Sequence, residues 1–197
     1  MGSRVDILIL AAGEGLRMGS IKQLLAVGNT NLLGIVINNS LKSNTNKVFC
    51  VLGAHADEIR ETCQDLDVEV IVNDHWEEGL GSSIAKGISY IQTNEPQTDA
   101  ILIMLGDQPL VTPDYINQLI STFHENSNCI TASNYNGNFG VPAIFPRKWF
   151  GRLLNLKGDK GAKLLLNEER QNIISIPSEN QLMDIDTPED YTQLLNN

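Results

Sequence analysis

Short apolar runs alternate with segments of helical spacing along most of the chain. Between the apolar runs, apolar residues recur at intervals typical of amphipathic helices. Strands and helices that alternate in this way predict a mainly parallel sheet with helices on both faces, so we expect a three-layer α/β fold in one domain over residues 1–197. The predicted strands are Val5–Leu10, Lys47–Leu52, Val68–Val72, Ala100–Leu105, Cys129–Ala132, Ala143–Phe145 and Ile173–Ile176, and the predicted helices are Leu32–Leu41, Ala56–Cys63, Ser82–Ile91 and Pro113–Phe123.

The pattern loosens after Cys129, where Gly137, Gly140 and Pro142 interrupt it. These residues predict a hairpin or insertion that flanks the functional site rather than extending the parallel core. In open α/β sheets, ligands bind at the carboxyl ends of the strands. The residues that follow the predicted strands are therefore the first candidates for a site.

Composition narrows the possible partners. The 197 residues carry a formal net charge of −10 and 42% are hydrophobic, which is ordinary for a globular protein. The negative charge argues against binding to nucleic acid or to an anionic membrane surface. No apolar run reaches membrane-spanning length and no signal-peptide pattern opens the chain, so we expect a cytoplasmic protein. Cys50, Cys63 and Cys129 lack the spacing of a metal or redox motif, and we expect Cys50 and Cys129 to be reduced core residues.

A glycine-rich loop follows the first predicted strand, and residues 10–25 read LAAGEGLRMGSIKQLL. Gly13 and Gly15 allow the backbone N–H groups to approach an anion closely. Arg17 suits the β- and γ-phosphates of a nucleotide, and Lys22 suits the charge that develops on the α-phosphate during displacement of pyrophosphate. The pattern is neither a P-loop nor a dinucleotide fingerprint. It predicts a nucleoside triphosphate site whose members are Leu10, Ala11, Ala12, Gly13, Gly15, Arg17 and Lys22.

Acidic residues follow the fourth predicted strand and recur near the end of the chain. Asp107 comes directly after the apolar run that ends at Leu105, a position that packing does not explain. Mg²⁺ at nucleotide sites is usually held by one or two carboxylates together with substrate phosphates. We therefore predict Asp107 as a metal ligand, with Asp184 or Asp186 as a second one, and Lys22, Arg17 and Asp107 as catalytic residues. The alternative for Asp107 is a turn or cap before the helix that begins at Pro113.

A third polar segment, residues 73–83, follows the third predicted strand. Asn73, Gly79, Ser82 and Ser83 are predicted to contact the nucleotide, while Ser82 and Ser83 also suit the cap of the following helix. Trp76 in the same segment suits either the wall of a pocket or the edge of the core.

Six segments, in this order, resemble the MobA-like nucleotidyltransferases, and among them the molybdenum cofactor cytidylyltransferases. They are residues 10–25, 73–83 (NDHWEEGLGSS), 106–109 (GDQP), 140–142 (GVP), 158–162 (GDKGA) and 184–190 (DIDTPED). The resemblance implies a single-domain αβα Rossmann-like nucleotidyltransferase fold with a mainly parallel sheet. It also implies transfer of CMP from CTP to the phosphate of molybdopterin that carries molybdenum, with Mg²⁺ as cofactor. Asp107 matches the family's metal-binding acid, and segments 140–142 and 158–162 match those that shape the pterin pocket.

The choice of base depends on Ala12, because the loop reads LAAG in the cytidine enzymes of this family and LAGG in the guanosine enzymes. Alternatives that stay open are a guanylyltransferase for the same cofactor and a cytidylyltransferase for a sugar or polyol phosphate. A third alternative is a non-catalytic carrier of the cofactor. A molybdenum hydroxylase is the expected recipient of the cofactor in either the enzyme or the carrier reading.

Overall fold

Seven strands form one sheet in the computed structural model of the chain, which describes residues 2–15, 20–178 and 182–196. The sheet order is β5-β4-β1-β6-β8-β7-β9, and six of the seven strands run in the same direction while β8 is antiparallel to both its neighbours. The strands are β1 (Val5–Ala11), β4 (Val48–Leu52), β5 (Glu69–Val72), β6 (Ala100–Leu105), β7 (Ile130–Tyr135), β8 (Asn138–Pro146) and β9 (Ile173–Pro177), and β2 (Ala26–Val27) pairs with β3 (Thr30–Asn31) separately.

Helices cover both faces of the sheet and give the three-layer architecture that the sequence predicts. Every residue of β1 is buried, as expected for a parallel strand with a helical layer on each side. Core residues of α1 (Leu32–Leu41), α2 (Ala56–Cys63) and α4 (Pro113–Glu125) pack on one face. Those of α3 (Leu80–Asn94), α5 (Phe150–Leu153) and α6 (Lys163–Glu168) pack on the other. A last helix, α7, spans Pro188–Leu195, and no helix of the described residues combines the length and apolarity needed to cross a membrane.

The predicted hairpin exists, but its predicted place was wrong. The β7–β8 hairpin joins the main sheet, because β8 pairs with β6 from Ala100↔Pro146 to Ile103↔Ala143. The physical reason is burial, since residues 142–146 at the end of β8 are all buried and need the cover of both helical layers. The prediction that Cys129 is a core residue was also wrong, because it lies one residue before β7 and is only half-buried. Cys50, in contrast, is fully buried.

Backbone hydrogen bonds join the loops that follow neighbouring strands at the carboxyl edge of the sheet. The Gly106 N–H after β6 donates to the Leu10 carbonyl at 2.9 Å, and the Ala54 N–H after β4 donates to the Ala12 carbonyl at 3.1 Å. The backbone after β1 is therefore fixed between the ends of both neighbouring strands.

Candidate active site

A cavity of about 560 Å³ opens at this carboxyl edge. It lies where ligands are expected in a parallel α/β sheet. Nucleotides need a cavity of this order, since small-molecule sites fall at about 300–1,000 Å³. The described residues that line it are Leu10, Ala11, Ala12, Gly13, Glu14, Gly15, Lys22, Gln23, Trp76, Glu77, Gly79, Leu80, Ser83, Leu105, Gly106, Asp107, Asp159 and Asp186.

The loop after β1 forms one wall of the cavity. Gly13 and Glu14 are exposed there, and Gly15 adopts a φ of +68°, a conformation that favours glycine. Within the described residues, the N–H groups of Gly13, Glu14 and Gly15 have no hydrogen-bond acceptor. Three consecutive N–H donors without acceptors are a binding site for an anion. The anion-binding role of this loop stays a prediction, for which these N–H groups are the candidate donors.

Lys22 lies at the floor of the cavity between two carboxylates. Its Nζ donates to Asp107 Oδ2 at 2.6 Å and to Asp186 Oδ1 at 2.8 Å, and the lysine side chain is only 13% exposed. Burial lowers the pKa of Lys22, but the charges of Asp107 and Asp186 outweigh it, so that the net pKa lies above the ordinary 10.5. Lys22 is therefore cationic at neutral pH and is held at the end of β6.

The two aspartates near α7 have different surroundings. Asp186 lines the cavity and pairs with Lys22, whereas Asp184 Oδ1 accepts from Gln108 Nε2 at 2.8 Å. Asp184 keeps part of its surface exposed, but desolvation of its carboxylate, followed by the charge of Asp107, raises its pKa. The Ile185 N–H donates to the Asp107 carbonyl at 3.0 Å and joins the two acidic segments. Of the two candidates that the sequence left open, the structure brings Asp186 to the cavity.

The residues of this corner fit a hard divalent cation. Asp107 Oδ1 is buried and has no hydrogen-bond partner among the described residues, so this carboxylate retains an unused acceptor oxygen. The described residues contain no group of three or more His, Cys, Asp or Glu side chains placed to hold a metal ion. Asp107 and Asp186, which line the cavity, would be the protein ligands of such an ion, and water and substrate phosphates would fill the remaining positions.

In the segment before α3, some residues line the cavity and others hold the segment in place by hydrogen bonds. The buried Asn73 side chain donates to the hydroxyls of Ser82 and Ser83 at 3.0 and 3.1 Å, and the Ser82 hydroxyl donates to the His75 and Gly79 carbonyls. Gly79 and Ser83 line the cavity, whereas Asn73 and Ser82 are not among its described lining residues. The predicted contacts of Asn73 and Ser82 with a nucleotide stay a prediction, and their observed role is to shape the start of α3.

Residues 157–161 close the cavity from the side of α6. The Gly81 N–H donates to the Gly158 carbonyl at 2.8 Å, and the Gly158 N–H donates to the Glu78 carbonyl at 3.1 Å. A Cβ added to Gly79 would lie 2.5 Å from Asp159 Oδ1, which shows how closely the two segments approach. Asp159 of this segment lines the cavity, and the role of residues 158–162 in shaping a pterin pocket stays a prediction.

Trp76 belongs both to the wall of the cavity and to the edge of the core, the two alternatives that the sequence allowed. It lines the cavity and also packs, half-buried, against the core on the α3 face of the sheet. Gly53 is needed beside it, because a Cβ there would lie 2.6 Å from the Trp76 Cβ and 2.7 Å from the Ala12 carbonyl oxygen.

Sequence reasoning gave no role to several residues of the cavity wall, among them Glu77, Leu80, Asp159 and Gln23. Glu77, Leu80 and Asp159 stood inside recognised segments, but nothing in the sequence gave their side chains a role. Gln23 follows Lys22 directly, and its buried amide donates to the Ala11 and Gly13 carbonyls at 3.2 and 3.0 Å. The predicted phosphate ligand Arg17 lies outside the described residues.

This edge of the sheet contains the parts of a site for activated nucleotides. They are an N–H-lined loop, a lysine held between carboxylates and a cavity at the edge of a parallel sheet. With the Rossmann-like sheet they define the class of nucleotidyltransferases. This chain belongs to the MobA-like NTP transferase domain family, whose model matches residues 7–173.

The relatives agree with this assignment. The chain is 29% identical to the purine catabolism protein PucB of Bacillus subtilis over 93% of this chain and 92% of that protein. The crystal structure of Rv0371c from Mycobacterium tuberculosis superposes with a TM-score of 0.85 at 27% identity and covers 100% of both chains. A complex of Rv0371c with manganese also superposes, with a TM-score of 0.78 at 26% identity over 100% of both chains.

Proposed function

We propose that this protein acts in the cytoplasm as a cytidylyltransferase that transfers CMP from CTP to the terminal phosphate of molybdenum-bearing molybdopterin. The products are the cytosine dinucleotide form of the cofactor and pyrophosphate. The observation that supports this most directly is the position of Lys22, between Asp107 and Asp186 and beside an N–H-lined loop.

The residues suit an in-line displacement at the α-phosphate. An oxygen of the acceptor phosphate forms the new P–O bond to the α-phosphorus, and the bond to the bridging oxygen of pyrophosphate breaks. A phosphate monoester has a second pKa of about 6, so it is largely ionised at neutral pH and needs no general base. Lys22 stabilises the negative charge that develops on the α-phosphate, and the loop N–H groups hold the triphosphate in place. A divalent ion on Asp107 and Asp186 would neutralise further phosphate charge.

The base assignment depends on Ala12, which is 6% exposed and lines the cavity. Gly53 packs behind the Ala12 carbonyl, so the backbone at this point has little room to retreat from a larger base. One methyl group discriminates by only about 1–3 kcal/mol. CTP is therefore the proposed substrate, and GTP stays the alternative, because a difference of this size discriminates only weakly against a purine.

The acceptor and the recipient come from the family resemblance and from the relatives. PucB bears the name of a purine catabolism protein, so a molybdenum hydroxylase that acts on purines is the first recipient to test. Three exposed lysines lie in and after the segment that closes the cavity, and their charge suits an acceptor that carries phosphate. They are Lys157, Lys160 and Lys163.

Pyrophosphate release tests this proposal. The protein is incubated with molybdenum-loaded molybdopterin, Mg²⁺ and either CTP, GTP, ATP or UTP, and pyrophosphate is measured. Turnover confined to CTP is expected. Turnover with GTP would overturn the base assignment, and turnover only with sugar or polyol phosphates as acceptor would overturn the proposed acceptor.

The Lys22→Ala variant separates an enzyme from a carrier that only binds the cofactor. We expect turnover to fall by about a hundredfold or more, since loss of one charge-stabilising group costs about 2.7–4 kcal/mol, while CTP affinity falls much less. Lys86→Ala, a change at an exposed position on α3, is the matched control and should leave both unchanged. Normal turnover of Lys22→Ala would contradict a catalytic role for this residue.

A further inference from the structure

Gln23 is a buried polar side chain next to the site for which a packing role gives no explanation. It is 5% exposed and lies in a short 3-10 helix, Lys22–Leu24, directly beside the lysine of the site. We infer that Gln23 is a positioning residue, which turns the carbonyl groups of the loop after β1 away from the cavity and so creates the site for the triphosphate group.

The hydrogen bonds of the amide carry this inference. Gln23 Nε2 donates to the Ala11 carbonyl at 3.2 Å and to the Gly13 carbonyl at 3.0 Å, so both of its N–H groups are used on the two sides of Ala12. The Ala12 carbonyl accepts from the Ala54 N–H, and the Leu10 carbonyl accepts from the Gly106 N–H. All four consecutive carbonyl groups, 10 to 13, at the end of β1 and the start of the loop, are therefore held by Gly106, Ala54 and Gln23.

The consequence is that the loop offers hydrogen-bond donors rather than acceptors. With its carbonyl groups bound elsewhere, the loop offers the N–H groups of Gly13, Glu14 and Gly15, for which the described residues provide no acceptor. Without the Gln23 amide, the Ala11 and Gly13 carbonyls would have no donor from that side chain. A carbonyl that turned toward the cavity would repel a phosphate oxygen where an N–H group now attracts it.

An apolar side chain would fill the same volume at lower cost. Gln23 Oε1 is buried and has no partner among the described residues, so the amide carries an unsatisfied acceptor. Buried polar groups without partners are unfavourable and call for an explanation. Because only the donor half of the amide is used, the donor half is what the loop requires.

The position next to Lys22 links the two ends of the site. One turn of chain directs Lys22 to Asp107 and Asp186 and directs Gln23 to the loop. Gly15 packs against this turn, since a Cβ there would lie 3.3 Å from the Lys22 Cβ. Nucleoside triphosphates of any base, and inorganic tripolyphosphate, are thus the ligand class whose binding should depend on Gln23.

The inference rests on the proposed nucleotide transfer, and Gln23→Met tests it separately, because methionine keeps the length but lacks both donors. Binding of tripolyphosphate, CTP and cytidine is measured by calorimetry. Affinity for tripolyphosphate and CTP should fall by the same factor, about tenfold or more, which corresponds to one lost charge-assisted contact. Affinity for cytidine should stay within about twofold, because cytidine carries no phosphate. Gln118→Met, at an exposed position on α4, is the control.

In turnover, Gln23→Met should raise KM for the nucleotide more than it lowers kcat, and the preference among bases should not change. Tripolyphosphate affinity equal to that of the wild type, or an equal loss for cytidine, would overturn the inference. Since tripolyphosphate has neither base nor acceptor, this result does not depend on whether CTP or molybdopterin is the true substrate.

A measurement on the wild type covers the case in which Gln23→Met does not fold. Tripolyphosphate is titrated into ¹⁵N-labelled protein, and the amide resonances of Gly13, Glu14 and Gly15 are followed together with the Gln23 side-chain amide. We expect the three backbone amides to shift and the Gln23 amide protons to remain protected from exchange throughout. No shift of the backbone amides, or rapid exchange of the Gln23 amide, would contradict the inference.

Discussion

The acidic residues near the cavity differ in the side chains that bind their carboxylates. Asp107 and Asp186 share the Lys22 ammonium group, whereas Asp184 is held by Gln108. Burial also raises the pKa of Tyr135, whose hydroxyl donates to the Val141 carbonyl and lies 3.4 Å from Gln108 Nε2. Asp107 and Asp186 line the cavity, whereas Asp184, Gln108 and Tyr135 are joined to one another beside it.

Asp186→Asn and Asp184→Asn test this division, since both remove one negative charge from the same segment. We expect Asp186→Asn to raise the Mg²⁺ or Mn²⁺ concentration for half-maximal turnover by about tenfold or more, because a carboxylate ligand becomes a weaker neutral one. Asp184→Asn should change it by less than about threefold, since an amide oxygen still accepts from Gln108. Metal titration of pyrophosphate release measures both, and a larger effect of Asp184→Asn would reverse the assignment.

What the sequence could predict at this scale depended on spacing. Asp107 follows from a strand-loop pattern, because a charged residue just after a buried strand must lie at the edge of the sheet. Lys22 stands eleven residues beyond the end of β1 and follows instead from its place in the motif of residues 10–25. Asp184 and Asp186 belong to neither helix nor strand, so no periodicity could tell which one faces the cavity. The role of Gln23 depends on carbonyl directions, which a sequence does not contain.

At the scale of elements, the start of α3 and the segment before α6 form one structural unit. Gly79 precedes α3 with a φ of +94°, and its missing Cβ leaves room for Gly158 and Asp159. These residues are about 80 positions apart in the sequence, yet their backbones are joined by the Gly81 and Gly158 hydrogen bonds. The wall of the cavity therefore depends on close backbone contact between two glycine segments.

Gly79→Ala should cost more stability than Gly137→Ala, although the two positions have nearly the same φ, +94° and +93°. Both variants place an L-residue at a φ that favours glycine, at about 1–3 kcal/mol. Only Gly79→Ala also forces its Cβ against Asp159 and Gly158, since no atom lies within 4 Å of the Cβ position at Gly137. We expect an additional loss of about 1–3 kcal/mol in the free energy of unfolding, measured in urea. Equal losses would show that the two segments separate without cost.

Most elements were predictable because their burial follows a simple period. The predicted helices Leu32–Leu41 and Ala56–Cys63 match α1 and α2 residue for residue, and the apolar run after Val5 matches β1 within one residue. The hairpin was recognised from its glycines but was misplaced. Strand order in a sheet depends on long-range pairing, and nothing local in β8 distinguishes a partner in β6 from solvent.

At the scale of the whole molecule, charge sets a constraint on the reaction. The protein carries a net charge of −10, and the described cavity lining includes Glu14, Glu77 and Asp159 besides the two aspartates that pair with Lys22. Lys22 is the one basic side chain among those lining residues. In the proposed function, the neutral N–H donors of the loop and a divalent ion would therefore add to the charge of Lys22 and of the predicted ligand Arg17, and the orientation of the loop would matter as well as its cations.

The opposite edge of the sheet contains a buried carboxylate that links distant parts of the chain. Asp6 on β1 accepts from the Lys47 N–H at 3.1 Å and from the Thr98 hydroxyl, and the Arg4 guanidinium lies 3.6 Å away. Burial raises the pKa of Asp6 above the ordinary 3.8, and the hydrogen bond from Thr98 and the charge of Arg4 only partly oppose this. The folded protein therefore binds this proton more tightly than the unfolded chain does.

This linkage predicts how Asp6→Asn changes the pH dependence of stability. Where the folded state holds more protons, stability falls as the pH rises, so Asp6 should reduce the free energy of unfolding between pH 3.8 and its raised pKa, and by a constant amount above it. Asparagine does not titrate, and its altered packing adds only an offset that does not depend on pH. The difference in unfolding free energy, wild type minus Asp6→Asn, should therefore decrease as the pH rises from acidic values and then level off. Urea unfolding of both proteins across this range measures it, and a difference that grows with pH would mean that the hydrogen bonds and Arg4, rather than burial, control this carboxylate.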